Sequence, residues 1–333
     1  MQLEYDAMFD YLIEKINSSQ IEKIPFDAIY IEDFFSKEHF EAIVNDSAIN
    51  LNKTEDDKSL FDEVFKSGYK IIDFPGCISS EKEYINWHNH KSLDTRSNSS
   101  CESFGLTVRL MDKKSDLLQA VDNFFNSHKF REVLASKFSI NLDDVYFDNG
   151  IQKYFDGYEI SPHPDIRRKS LTYMLNINPF ENSENEEIHT HYLQLKDKYK
   201  FVEKFWQFNK DFERCWLPWD WCESKFIQKK NNSIVIFSPS DDTIHAVKAN
   251  YQHLNGQRTQ VYGNFWYKEK QKLATMEWEN LDLFNASNLQ TKKTFSLKDF
   301  VPPNIKQFIK NKVLGAENKN YTKLDTQSES KNE

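Results

Sequence analysis

Apolar residues recur at two different periods along this chain, and the change falls near residue 145. Before it, helical spacing predominates. Ser36 can cap a helix over 37–46, and residues 81–90 and 115–137 repeat apolar positions every three or four. In the last of these Leu117, Leu118, Val121, Phe124 and Phe125 share one side. Residues 26–35 and 103–111 read as extended. From 145 onward the pattern breaks into short strands, at 145–148, 151–156, 158–163, 169–178, 232–238, 243–248 and 257–267. Turn signals separate them: Asp156-Gly157, Pro162, Pro179, Pro239 and Asn255-Gly256. Many short strands divided by turns predict a sandwich or barrel, here preceded by a mixed α/β region. No internal repeat is present.

The strands stop at 268. A basic amphipathic helix is predicted over 302–313, after Pro302-Pro303. Ile305, Phe308 and Ile309 would pack against the barrel in preference to a weak contact with a membrane surface. The expected organisation is a single domain over 1–268, with a supporting region 1–144 and a β core 145–268. A C-terminal extension over 269–315 and a disordered polar tail over 316–333 follow.

With aromatics at 15%, 27 of the residues being Phe, the chain can bury a substantial core. The formal charge of −9 argues against a nucleic-acid partner. The local run Arg167-Arg168-Lys169 reads as a solvated turn. Cys77, Cys101, Cys215 and Cys222 show no C-x2-C spacing. No apolar h-region or membrane-length run is found. A cytoplasmic protein with free thiols is expected; the oligomeric state is not readable.

His163-Pro164-Asp165 sets two ligand types at i and i+2. On an extended chain both point to one face, roughly 6.6 Å apart. With nine histidines in the chain, an H-x-D pair alone is weak. A third ligand is available from another predicted strand, His245 in Thr243–Val247. Two imidazoles and a carboxylate on one face of a metal leave three positions open, the arrangement of non-haem Fe(II) oxygenases. Arg258 follows at the start of the next strand, and its fork suits the free carboxylate of an iron-chelating 2-oxoglutarate. Tyr154 can donate a second hydrogen bond to it.

The stretch Gln152-Lys-Tyr-Phe-Asp-Gly-Tyr-Glu-Ile-Ser-Pro-His-Pro-Asp165 resembles the prolyl 4-hydroxylase-like branch of the 2-oxoglutarate/Fe(II) dioxygenases. The order Tyr154, Gly157, His163, Asp165, the strand 170–178, His245 and Arg258 matches that branch. The likeness covers about 26–48 and 145–268. It implies a double-stranded β-helix, a jelly-roll or cupin-like barrel with flanking helices. It also implies Fe(II), 2-oxoglutarate and O2 as reactants, with succinate and CO2 released as a C–H bond is hydroxylated. Because Asp165 is present, hydroxylation is expected over halogenation, since halogenating relatives lack that ligand.

Other histidine pairs compete. His88-x-His90 lies on a predicted helix, where i and i+2 diverge. His189-x-His191 opens an extended stretch, so both rings could reach the substrate. His253 precedes a turn and is a poorer third ligand than His245. Residues 181–231 interrupt the strand series and hold Trp206, Trp216, Trp219 and Trp221. This insert reads either as a lid, with Trp216, Trp219 and Trp221 meeting a substrate, or as an exterior aromatic cluster. The reaction expected is hydroxylation of a small molecule. A protein prolyl hydroxylase is the alternative within the same chemistry, and a non-catalytic ligand- or glycan-binding barrel the alternative outside it.

Overall fold

The computed structural model describes residues 8–72, 78–90, 105–209, 212–213 and 215–269. The predicted 302–313 helix, the C-terminal extension beyond 269, Cys77 and Cys101 lie outside them. The elements in chain order begin with α1 (Asp10–Ser18), β1 (Glu22–Lys23), β2 (Asp27–Ile31), α2 (Lys37–Val44), α3 (Asp57–Lys66) and β3 (Tyr69–Ile71). Next come α4 (Glu81–Asn89), β4 (Thr107–Leu110), α5 (Asp116–Asn126), α6 (His128–Phe138), β5 (Val145–Tyr154), β6 (Glu159–His163) and β7 (Lys169–Asn176). The series ends with β8 (Thr190–Leu195), α7 (Phe201–Phe208), β9 (Cys222–Ile227), β10 (Ile234–Phe237), β11 (His245–Lys248) and β12 (Arg258–Tyr267).

Two antiparallel sheets result. The larger runs β1-β2-β10-β7-β12-β5-β4-β3, the smaller β6-β11-β8-β9. Period-two alternation gives the larger sheet two different faces. One carries Leu171, Tyr173, Leu175, Ile151, Val261 and Phe265, in the same buried cluster as α1, α3, α5 and α6. On the other, Met174, Val235 and Phe237 meet Tyr192 of the smaller sheet. Asp148 and Gln152 of β5 and Arg258, Gln260 and Asn264 of β12 lie on that second face and line a cavity between the sheets.

Three expectations change. The helix predicted over 115–137 is two, because Ser127 is extended (φ −68°, ψ 150°) and caps α6 by accepting from Phe130 N–H at 3.2 Å. The strands predicted at 145–148 and 151–156 are one, β5, paired with β12 along its whole length. The segment 181–231 contributes β8 and β9, and β8 sits inside the smaller sheet between β11 and β9. No helix among the described residues is long and apolar enough to cross a membrane.

Candidate active site

Strand pairing assembles a candidate ligand set. His163 at the end of β6 stands directly opposite His245 at the start of β11, with ring centroids 4.5 Å apart. Asp165 follows His163 by two residues and lies on the same side. One ligand atom from each of the three lies within 4.8 Å of the others, and all three residues are buried.

The donor chemistry fits a divalent metal. His163 Nδ1 is 2.8 Å from the Ser161 carbonyl, and His245 Nδ1 is 2.9 Å from the Thr243 carbonyl. A carbonyl only accepts, so each Nδ1 carries the proton and each Nε2 presents a lone pair. Burial, then the neighbouring His245, pushes the His163 pKa down to about 3; burial also lowers that of His245. Both rings are therefore neutral, as ligands must be. Burial alone would raise the Asp165 carboxyl, but the Lys169 ammonium beside it holds it well below the ordinary carboxylate range.

Lys169 Nζ donates to Asp165 Oδ1 at 2.6 Å and to the Tyr262 hydroxyl at 2.9 Å, while Thr172 Oγ1 donates to Oδ2 at 2.6 Å. The basic run 167–169 opens as a turn at Arg167-Arg168, and of its three residues only Arg168 is exposed. The half-buried Lys169 lies against the Asp165 carboxylate, and Arg167 stacks on Trp206 at 4.0 Å and pairs with Asp241 at 3.0 Å. Lys169 and Thr172 escaped sequence reading. Their only signal was position: i+4 and i+7 from Asp165, with Thr172 on the inward-facing register of β7.

The cavity beside the three ligands has a volume of about 170 Å³. Arg258 lies in it, 2% exposed, at the first position of β12 and opposite Tyr154 of β5. Its guanidinium lies 4.4 Å from the Tyr154 ring centre and donates to Thr190 Oγ1 at 3.2 Å. No acid among the described residues pairs with it. Burial lowers its pKa, as expected of a cation awaiting a counter-charge.

Of the five candidate substrate contacts, Trp216 lines the cavity, its ring 4.7 Å from that of His163. The other four are placed elsewhere. Trp219 Nε1 donates to Glu159 at 2.8 Å and Trp221 stacks on Tyr199 at 4.6 Å. His189 donates to the Glu184 carbonyl at 3.2 Å, and His191 pairs with Ser224 at 3.0 Å on the face of β8 opposite Thr190. His88 and His253 belong to a separate buried cluster with Asp57.

That second cluster does not suit a metal. His253 Nδ1 accepts the Asp156 backbone N–H at 3.0 Å, so its proton sits on Nε2, the atom facing Asp57 Oδ1 at 2.8 Å. His88 spans Asp57 and Asp156 at 2.7 and 2.9 Å.

No family model matches this chain, and no curated protein matches it. Solved structures do. The chain is similar to 2-oxoglutarate/Fe(II) oxygenases. A prolyl 4-hydroxylase of Pseudomonas putida aligns over 78% of this chain and 100% of its own, at 9% identity and a TM-score of 0.38. A prolyl hydroxylase of Trichoplax adhaerens, solved with a hypoxia-inducible-factor peptide, aligns over 81% and 93%, at 9% identity and 0.40. An oxidoreductase of the 2OG-Fe(II) oxygenase family from Burkholderia pseudomallei aligns over 65% and 93%, at 8% identity and 0.26.

Proposed function

We propose that this protein is a 2-oxoglutarate-dependent Fe(II) oxygenase that hydroxylates an unactivated C–H bond of a small molecule on a double-stranded β-helix scaffold. The observation that carries the reading is Arg258. A buried guanidinium without an acid partner among the described residues lies in the same cavity as two neutral imidazoles and an ionised carboxylate. A dicarboxylate that chelates a metal at one end satisfies both ends at once.

His163, Asp165 and His245 would hold the metal through two Nε2 lone pairs and one carboxylate oxygen. Bound Fe(II) supplies the one-electron and O2 chemistry that couples decarboxylation of 2-oxoglutarate to substrate oxidation. The chain's own residues do the rest. Nδ1–H donation to Ser161 and Thr243 holds each ligand ring in its working tautomer. Lys169 and Thr172 hold the Asp165 carboxylate ionised and oriented. Arg258 binds the distal carboxylate, and Tyr154 donates to it. Trp216 covers one side of the site and leaves a cavity of molecular size, which favours a small substrate over a chain passing through an open groove.

The test is succinate formation from 2-oxoglutarate by purified protein with Fe(II) and O2, screened against metabolites and prolyl peptides. Succinate should appear and should be lost in His163→Ala, Asp165→Ala and His245→Ala. Turnover that persists in His245→Ala with full iron content would sink the ligand assignment. Stimulation by prolyl peptides alone would move the substrate class to proteins.

A further inference from the structure

Strand β5 carries Asp148, Gly150, Gln152 and Tyr154 at alternate positions, so all four share its inner face. Strand β4 pairs alongside with Arg109 opposite Gln152. The Arg109 side chain turns back across Gly150, where a Cβ would come within 2.8 Å of its Cδ. It ends in a two-point pair with Asp148, at 2.7 and 3.2 Å. Glycine is needed at 150 because the arginine occupies that space.

This array decides how the Gln152 amide is turned. One end of the amide faces Arg109 Nε at 3.1 Å and Nη2 at 2.7 Å; the other lies 2.6 Å from the Tyr154 hydroxyl. Guanidinium nitrogens only donate, so the end toward Arg109 is the oxygen. The amide nitrogen then donates to the Tyr154 oxygen. A tyrosine hydroxyl has one hydrogen, and a donor seated on its oxygen turns that hydrogen away from Gln152. The space left to it is the cavity, where Arg258 lies against the same ring.

We propose that Arg109 and Gln152 are positioning residues that commit the Tyr154 hydroxyl hydrogen to a carboxylate of 2-oxoglutarate. The inference rests on the oxygenase reading and adds to it a reason why Tyr154 acts as a donor. Were the amide reversed, its oxygen would capture the hydrogen and present the incoming carboxylate with a lone pair. The ion pair with Asp148 serves to hold Arg109 still.

The test is anaerobic calorimetry of 2-oxoglutarate binding to the Mn(II)-loaded full chain. Gln152→Glu keeps an acceptor for Arg109 but places a carboxylate oxygen against Tyr154, which takes its hydrogen. One hydrogen bond to a charged group corresponds to about a tenfold loss of affinity. Gln152→Glu should therefore weaken binding about tenfold more in the parent than in a Tyr154→Phe background. A charge effect alone would act equally in both, and equal losses overturn the proposal. Arg109→Met, which frees the amide to turn, should show the same dependence on Tyr154 and serves if the first variant does not fold. The parent and Arg258→Ala separate the two levels. Absence of 2-oxoglutarate binding by the parent overturns the oxygenase reading itself, whereas unchanged affinity in Arg258→Ala overturns only Arg258 as the carboxylate anchor. A large loss there, with equal Gln152→Glu losses in both backgrounds, overturns only the role of Gln152 and Arg109.

Discussion

The two faces of β5 show how far one residue's position decides its chemistry. Gln152 and Tyr154 face the cavity, while Lys153 between them faces the helical layer. Its Nζ donates to the Ile49 carbonyl at 2.6 Å and to Thr259 Oγ1 at 2.9 Å, over the Tyr69 ring. Burial brings its pKa down to about 7. The unfolded chain holds a lysine proton up to about pH 10.4. Between these values the unfolded state binds the proton more tightly, so this group's penalty on folding is largest below pH 7 and fades as pH rises toward 10. Lys153→Met removes that dependence. Its unfolding free energy relative to the parent should therefore worsen with pH, by up to about 1.4 kcal/mol per unit between 7.5 and 9.5. Urea unfolding at those two values checks this. A constant difference would mean that Lys153 stays charged in the folded protein.

At the scale of elements, the grouping of His163, Asp165 and His245 as a candidate metal site was legible because an H-x-D pair at the end of a strand places both groups on one face without help from the rest of the chain. Arg258 and Tyr154 were legible through their places at the ends of strands. The gap expected between 148 and 151 includes Gly150, which in the structure stays inside the strand and makes room for Arg109 from another strand. Ser127 escaped notice for a different reason. Leu118, Val121 and Phe125 before it and Phe130, Val133 and Leu134 after it each keep three- and four-residue spacing, and a single five-residue step from Phe125 to Phe130 is all that marks the break. Of the two strands inside 181–231, β8 was legible as the extended stretch opening at His189, whereas β9 was not read from the sequence. Because β8 holds Thr190 against Arg258, the lid question belongs to 197–221 alone, the part between these strands. Replacing 197–221 by a short Gly/Ser linker removes Trp216 but spares the sheet. Slow succinate production should persist while substrate hydroxylation is lost, since positioning of the substrate is what the segment would supply. An exterior cluster predicts lower thermal stability with substrate affinity unchanged, and that outcome in Trp216→Ala would rule out the lid.

At the scale of the whole molecule, a buried polar cluster ties the helical layer to the loops that frame the site. Asp57, at the start of α3, takes His88 of α4 on one oxygen and His253 on the other. His88 reaches on to Asp156, in the turn after β5. Asp156 accepts the Tyr251 N–H at 3.1 Å, and the Tyr251 hydroxyl in turn accepts Arg258 N–H at 2.9 Å and donates to the Tyr154 carbonyl. Burial alone would raise the Asp57 carboxyl, but hydrogen bonds from His253 and His88 hold it well below the ordinary range. A carboxyl with a depressed folded pKa contributes stability that is present above about pH 4, where the unfolded group is ionised, and that fades on acidification below it. Asp57→Asn leaves one imidazole N–H without its acceptor and should cost about 2–3 kcal/mol at pH 7. The deficit should narrow as pH falls below 4. Arg258 and Tyr154 are held by Tyr251 through Asp156, and neither is touched by Asp57. Affinity for 2-oxoglutarate in the folded variant should therefore stay within about twofold of the parent, a shift below 0.5 kcal/mol. Urea unfolding at pH 7 and pH 3.5, with calorimetry on the same preparations, separates the outcomes. A tenfold loss of affinity at unchanged stability would show that Asp57 tunes the site and does not clamp the two layers together.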